Sequence, residues 1–286
     1  MKGEAAGAKE VRWEQWLLAG YSPKSIPSYR YGIRLYLGWI GGEIKAQTAT
    51  YADVLAYLNH LRSGSRKPRT IANYLFAVKL YYHWLQETGQ RGDHPCARLR
   101  LRDQVDRSVR IENLYTPDQL EELANDKTMS LRNRVIVGLL VNQALMVSEI
   151  VAVRLADVDL KKGSIYVSES VSNRARSLPL MASQILELQA LIADRDAAEM
   201  LILSFYKKPL NGHSISRIIN EKRGRKARLL PSRIRQSVIH HKLRNGHDLR
   251  IVQAFAGHRQ LSTTEAYQQS ELDRLRVGIV KYHPLR

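Results

Sequence analysis

Residues 207–250 hold 13 lysines and arginines against two acids, Glu221 and Asp248, a net of +11. Side chains of this kind grip anions through charge-assisted hydrogen bonds, and arginine meets a phosphate with two N–H groups at once. Within the stretch, PSRIRQSVIHHKLRNG (231–246) places Ile234, Val238, Ile239 and Leu243 on one helical face and its arginines and histidines off that face. A solvated cationic helix has the same pattern, so the stretch alone names no ligand. Just downstream, residues 257–267 read GHRQLSTTEAY, which sets His258 nine residues before Tyr267. Taken singly, that tyrosine reads as a core or surface residue and that histidine as a helix-start residue. The pair His240-His241 has no third ligand at metal spacing and reads as helix surface. Cys96 is the only cysteine, which excludes an internal disulfide and a cysteine-based zinc site and suits a reducing compartment.

The elements that must position these residues are mostly helical. Near the N-terminus, VRWEQWLLAG, SPKSIPSYRYGIRLYLGWIGG, TATYADVLAYLNHLRSG and PRTIANYLFAVKLYYHWLQETG read as four helices, a small bundle over residues 1–90. Thr50 and Asp53 have the spacing of a capping box, and Gly41-Gly42 is a stop. Residues 90–112 have no clean period and hold six arginines; 91–112 reads as a basic linker. Helical signals resume at Thr116-Pro117-Asp118, an N-cap with proline at the first helical position. GSIYVSE (163–169) and RSLPL (176–180) read as a hairpin, followed by a helix over about 181–194 and a short strand or turn at 201–206. Segments 214–222, 231–245, 248–256 and 262–281 read as helices. The predicted fold is mainly α with a small antiparallel hairpin, in two domains, 1–90 and 113–286.

Charge extends over both. The chain of 286 residues carries 45 Lys+Arg against 27 Asp+Glu, a net of +18, and each side of residue 110 contributes +9. Duplex DNA carries one charge per ~1.7 Å, so a protein closing around it gains from cations on both halves. Solubility, ribosomal association or a membrane surface account for charge of this kind as well. The sequence has no apolar run of about 18 residues, so no membrane span is expected. The N-terminal MKGEAAGAKEVRWEQW has no apolar core of a secretory signal, and a cytoplasmic location is expected.

The box GHRQLSTTEAY closely resembles the G-H-x4-T-T-x2-Y box of the tyrosine recombinase (phage integrase) family, and DLRIVQAFAGH resembles the helix that leads into it. Residues 142–160, NQALMVSEIVAVRLADVDL, resemble the family's Gly-x-Arg-x-Ser-Glu-Leu box. Residues 163–180 resemble its lysine-bearing hairpin, 231–236 its His-x-x-Arg box, and the N-terminal helices its core-binding domain. The resemblance implies a C-shaped clamp on double-stranded DNA that cuts and rejoins one strand per protomer. A tyrosine attacks a phosphate, leaving a 3′-phosphotyrosine and a free 5′-hydroxyl, and a second DNA end reverses the step. Neither metal nor small-molecule cofactor takes part. A tetramer on DNA, or pairing with a partner recombinase, is implied, with a C-terminal helix after Tyr267 docking in cis or on a neighbour.

Carried over position by position, Tyr267 is the nucleophile, His258 a phosphate donor, Arg235 the arginine of His-x-x-Arg, and Glu149 an acid that orients neighbouring donors. Three positions depart from the pattern. Met146 replaces the first arginine, Ser232 the histidine of His-x-x-Arg, and Val171 or a neighbour the hairpin lysine. One lost donor costs ~10²–10³ in rate, and methionine offers neither charge nor donor. Arg174 and Arg176 in the hairpin, and Arg233 or Arg259, are candidate substitutes, with Ser232 left one neutral hydrogen bond to give. Arg30, Arg34, Arg66, Lys67, Arg69 and Lys79, with Arg233 and Arg259, are candidate DNA contacts. The expected activity is site-specific recombination or integration. The alternative is an impaired recombinase fold that grips DNA as an accessory to an active enzyme.

Overall fold

The computed structural model describes residues 13–101, 109, 111–193, 195–221 and 223–268. Two compact units divide the chain, Met1–Asp106 and Arg107–Arg286.

The described part of the first unit is helical: α1 (13–20), α2 (Ile26–Ile40), α3 (Glu43–Thr48), α4 (Tyr51–Ser63) and α5 (Pro68–Glu87). Local chemistry sets these boundaries. Gly41 takes φ +92° to end α2, a left-handed conformation that costs glycine little. The Asp53 amide donates to the Thr50 hydroxyl oxygen and the Thr50 amide to the Asp53 carboxylate, so the expected capping box opens α4. Pro68 begins α5, where its missing N–H costs nothing. The six-residue α3 is an addition to the four expected helices; the Gly41-Gly42 stop turns the chain without ending helical structure. Helices α2 and α5 approach closely at Gly32, where a Cβ would lie 3.0 Å from that of Ala77.

The core of this unit is aromatic, with Trp13, Tyr36, Tyr57, Tyr82 and Trp84 buried. Tyr82 donates to the Ala46 carbonyl at 3.0 Å, and the Tyr36 and Tyr82 hydroxyls lie 2.6 Å apart, so Tyr36 donates to Tyr82. Burial pushes the Tyr36 phenol up to about 12, so both rings stay neutral donors.

Residues 91–101, expected as linker, instead belong to this unit. Cys96 and Leu99 are buried in its core. Arg91 donates to the Ala46 and Ala49 carbonyls at the end of α3 while pairing with Asp93 at 2.8 Å. Lys79 donates to the Ala97 carbonyl at 2.9 Å. These arginine and lysine heads satisfy backbone oxygens, and the charge pattern alone could not distinguish that from a solvated linker. The rest of the expected linker, 102–108 and 110, lies outside the described residues.

The second unit contains α6 (Pro117–Ala124), α7 (Leu131–Val141), α8 (Val147–Ile150), β1 (Val158–Asp159), β2 (Ser164–Val167), β3 (Arg176–Pro179), α9 (Ala182–Ile192), α10 (Gly212–Ile218), α11 (Pro231–Arg244), α12 (Leu249–Ala256) and α13 (261–268). The strands form an antiparallel sheet in the order β1-β2-β3, with Ile165 opposite both Val158 and Leu178. The expected hairpin is therefore the two longer strands of a three-stranded sheet. Ile165 and Val167 face the core and Tyr166 points out, the period of two that a half-buried strand requires. Helix α7 runs through the middle, with Val135 to Leu140 all buried. A helix apolar all round belongs inside a core. Residues 201–206 form no strand: Leu201 and Ile202 anchor a turn in which Leu203 pairs with Pro209. The expected helix 262–281 is described only to residue 268. Among the described residues, no helix is long and apolar enough to cross a membrane.

The phenol pair in the first unit yields an asymmetric expectation. Tyr82→Phe strands the Tyr36 hydroxyl in the core and should cost about 1–3 kcal/mol. Tyr36→Phe leaves Tyr82 bonded to Ala46 and should cost clearly less. Chemical denaturation of the two variants, compared with the parent chain, measures the difference.

Candidate active site

Four chain segments meet at the Glu149 carboxylate. It belongs to the four-residue helix α8, whose start is closed by the Met146 amide donating to Glu149 Oε2 at 2.8 Å. From the sheet, Arg176 grips both oxygens: Nη1 meets Oε1 at 2.8 Å and Nη2 meets Oε2 at 3.0 Å. Asn173 Nδ2 donates to Oε1 at 2.8 Å. Arg235, one turn into α11, brings Nη1 to 3.9 Å from Oε2. The Glu149 and Arg176 side chains are 3% and 6% exposed, so this pairing sits in the interior. Burial opposes the Glu149 charge, yet the Arg176 and Asn173 hydrogen bonds overcome it and hold the carboxyl below its ordinary range.

Arg235 is held from two other directions. Nη1 donates to the Ala144 carbonyl, and Nη2 donates to the Ala256 carbonyl at 2.6 Å. Each terminal nitrogen thus keeps a second N–H beyond these two bonds. Ala144 is strained: its φ is +50°, a region that a β-carbon disfavours. It stands where the resembling box has glycine, a departure from that box besides Met146.

The loop after α12 supplies the imidazole. Gly257 ends α12 at φ +71°, and a Cβ there would lie 2.6 Å from Arg176 Nη1. Glycine is required at this position by both the backbone turn and the neighbouring guanidinium. His258 then pairs antiparallel with Asn173, and the Arg174 amide donates to the Gly257 carbonyl at 2.8 Å. His258 Nδ1 lies 2.9 Å from the Thr264 hydroxyl on α13, and Gln253 donates to the His258 carbonyl. With Thr264 donating, Nε2 carries the hydrogen and is the ring's remaining donor. Burial first, then the nearby Arg235 and Arg176 charges, lower the His258 pKa to about 4, so the ring is neutral at physiological pH.

Tyr267, on α13, stacks on His258 with ring centroids 6.4 Å apart and planes at 17°. It packs against Ile239, Val252 and Ala256 and is only 7% exposed. Burial raises its phenol pKa, and the Arg235 charge pulls the other way.

The structure therefore gathers Glu149, Arg235, His258 and Tyr267. It separates Arg176 from a role at substrate: four of its five N–H groups go to Glu149, the Arg174 carbonyl and the Phe255 carbonyl. The sequence reading set it among residues that hold a phosphate; the geometry instead makes it the clamp on the carboxylate. Arg174 is exposed, with Nη2 3.4 Å from the Arg259 carbonyl. Arg259 is tied to Glu169 and the Ser170 carbonyl. Arg233 lies over the Tyr115 ring at 5.6 Å. Ser232 is exposed at the start of α11, and Val171, at the lysine's place, is 98% exposed. In the first unit Arg34, Arg66, Lys67 and Arg69 are exposed, Arg30 pairs with Glu14 at 2.7 Å, and Lys79 is engaged with Ala97. Sequence reasoning missed Asn173 and Thr264. The second threonine of the T-T pair, six residues after His258, was the available signal.

A helical unit is joined to one in which the stacked His258 and Tyr267 rings lie near the buried Arg235–Glu149 pair. Residues 113–274 match the phage integrase family and residues 12–89 the phage integrase N-terminal SAM-like domain; the chain belongs to the phage integrase family. It is 28% identical over 280 residues to the tyrosine recombinase XerC of Chromobacterium violaceum, covering 95% of this chain and 92% of that one. With the tyrosine recombinase XerA of Thermococcus kodakarensis it shares 29% over 267 residues, 91% and 89% of the two chains. A lambda integrase dimer bound to a COC′ core site has the same fold, with TM-score 0.68 at 16% identity over 92% of this chain and 95% of that one. The Tn1549 transposon integrase in complex with circular intermediate DNA gives 0.65 at 17% identity, over 92% and 97%.

Two outcomes are expected. Ala144→Gly relieves the left-handed strain, offset by glycine's greater chain entropy, and should raise stability by up to about 1 kcal/mol in denaturant titration. For His258, the folded value lies below the unfolded one. Between pH 6.5 and 4 the unfolded chain takes up a proton that the folded chain refuses, so stability falls as pH falls through this window. His258→Gln should flatten that part of the stability profile and leave the profile above pH 7 without a new slope.

Proposed function

We propose that the protein is a tyrosine-type DNA strand transferase that performs site-specific recombination. The clustering of the stacked Tyr267 and His258 rings with the Arg235–Glu149 pair carries this reading. The Tyr267 phenol gives up its proton to solvent as its oxygen attacks the scissile phosphorus, the bond to the 5′-oxygen breaks, that oxygen takes up a proton from solvent, and a 3′-phosphotyrosyl link forms. A 5′-hydroxyl from a second DNA end then reverses the exchange, so bond energy is conserved and no nucleotide triphosphate is needed. Arg235, fixed by two carbonyls and by the nearby Glu149 charge, offers its remaining N–H groups to the phosphate oxygens as charge builds on them. His258 offers Nε2–H as a neutral donor.

The Tyr267 ring is covered in this conformation, so attack requires α13 to shift and expose the phenol. The cationic surfaces of both units, Arg34, Arg66, Lys67 and Arg69 in the first and Arg174 and Arg233 in the second, grip the duplex. Assembly as a tetramer on DNA, or with a partner recombinase, brings two duplexes together.

The gaps at Met146, Ser232 and Val171 favour a second reading, in which the chain grips DNA as an accessory with little turnover. Arg176 cannot fill them, since it is buried with four of its five N–H groups engaged inside the protein, and arginine is a poor general acid in any case. A nicked suicide duplex bearing the recombination site separates the two readings. Strand transfer predicts a covalent adduct that survives denaturant and vanishes in Tyr267→Phe. Met146→Arg restores one phosphate donor and should speed adduct formation by ~10²–10³-fold. No adduct from either the parent chain or Met146→Arg establishes the accessory reading.

A further inference from the structure

The turn 203–209, between α9 and α10, presents an aromatic pair that the active site does not use. Phe205 and Tyr206 are 88% and 81% exposed, edge to face with centroids 5.6 Å apart. Two adjacent large aromatics this exposed forgo a sizeable burial energy, which marks a contact surface. The turn that carries them is rigidly built. The Ser204 amide donates to the Lys208 carbonyl at 2.8 Å, the Lys207 amide to the Ser204 carbonyl at 3.0 Å, and the Lys208 amide to the Ser204 hydroxyl at 3.0 Å. Lys207 takes φ +56° to reverse the chain, and Leu203 pairs with Pro209 across the base. Leu201 and Ile202, buried in the core, anchor one end.

Charge identifies the ligand. Lys207 and Lys208 are exposed beside the two rings and open the 207–250 stretch of net +11. Position agrees with it. Gly212, at the start of α10, lies so close to α8 that a Cβ would meet Val147 Cγ1 at 3.0 Å. The turn therefore leads directly to the helix that holds Glu149. A rigid aromatic tip with two lysines at its base has the composition of a wedge that lies against or between bases while its cations hold the flanking phosphates.

We propose that the Phe205–Tyr206 tip is a base-stacking contact on the DNA duplex, anchored on phosphate by Lys207 and Lys208. It rests on the DNA-directed reading of the Tyr267 cluster and adds a contact that cluster does not contain. The wedge distorts the helix on insertion, so DNA that already has an unstacked step binds more tightly.

The test measures binding of fluorescently labelled duplexes, one fully paired and one of the same sequence with a single extrahelical base, to the full chain across a salt series. The parent chain should favour the bulged duplex. Phe205→Ala/Tyr206→Ala should abolish that preference and lower affinity for the bulged duplex by about 5- to 100-fold, with the salt slope unchanged. Lys207→Gln/Lys208→Gln should flatten the salt slope by about 1.8 and keep the preference. All four side chains are exposed, and matching thermal melts confirm that the variants fold. Double-alanine affinities equal to the parent on both duplexes overturn the proposal while leaving DNA binding intact. So does a double-alanine variant that loses self-association in sedimentation but not DNA affinity, which makes the tip a contact between copies. A parent chain that binds neither duplex at low salt overturns the DNA reading itself, and this proposal with it.

Discussion

The second unit is organised around one buried negative charge. Glu149 sits where water cannot solvate it, and an unpaired carboxylate there would cost several kcal/mol. Arg176 answers it with a two-point grip, Asn173 and the Met146 amide complete its hydrogen bonds, and Arg235 adds a second positive charge at 3.9 Å. Two guanidinium groups so close would repel without the carboxylate between them. Satisfying that charge draws helix, sheet and hairpin loop together. The His258 loop joins them because the same Arg176 donates to the Phe255 carbonyl, and Gly257 leaves room for its guanidinium.

This arrangement divides the arginines by task. Arg176 spends its donors inside the protein and is structural in effect. Arg235 spends one N–H from each terminal nitrogen on carbonyls that fix its plane. In the proposed reaction, a guanidinium held in advance would lose little entropy when a phosphate arrives, and its low-dielectric setting would strengthen the contact. The neutral His258 fits this economy: a third buried cation in the cluster would be repelled, so the ring contributes a dipole and a donor. Met146, Ser232 and Val171 lie outside the side-chain hydrogen bonds to Glu149, so their departures from the family pattern leave the Glu149 scaffold complete.

The first unit solves a different problem with different means. Its core is rich in tyrosine and tryptophan, whose large faces bury much area, and the Tyr36 and Tyr82 hydroxyls pair with each other and with the Ala46 carbonyl. Arg91, in the segment that follows α5, donates to the Ala46 and Ala49 carbonyls, and Lys79 on α5 donates to the Ala97 carbonyl of that segment, which ties it to the bundle. Exposed arginines elsewhere on the unit, such as Arg34 and Arg69, remain at the surface.

The sequence by itself determined the helical periods, the caps at Thr50 and Thr116, the two main strands, and the box from Gly257 to Tyr267, because those depend on neighbours within a few positions. It also named Glu149, Arg235, His258 and Tyr267, through the resemblance of their boxes to those of the phage integrase family. Only the tertiary structure decided what each arginine does. Arg174, Arg176, Arg233 and Arg259 look alike in a one-dimensional list, yet one clamps a carboxylate, one lies over an aromatic ring, one latches a loop and one faces solvent. Their roles depend on partners far away in the chain, 27 positions for Arg176 with Glu149 and 118 for Arg233 with Tyr115, or on where neighbouring segments leave water. The same holds for residues 91–101, whose basic character suggested a linker until the core beneath them was seen. Burial, which sets the charge state of His258 and covers Tyr267, is a property of the packed chain and has no signature in local sequence.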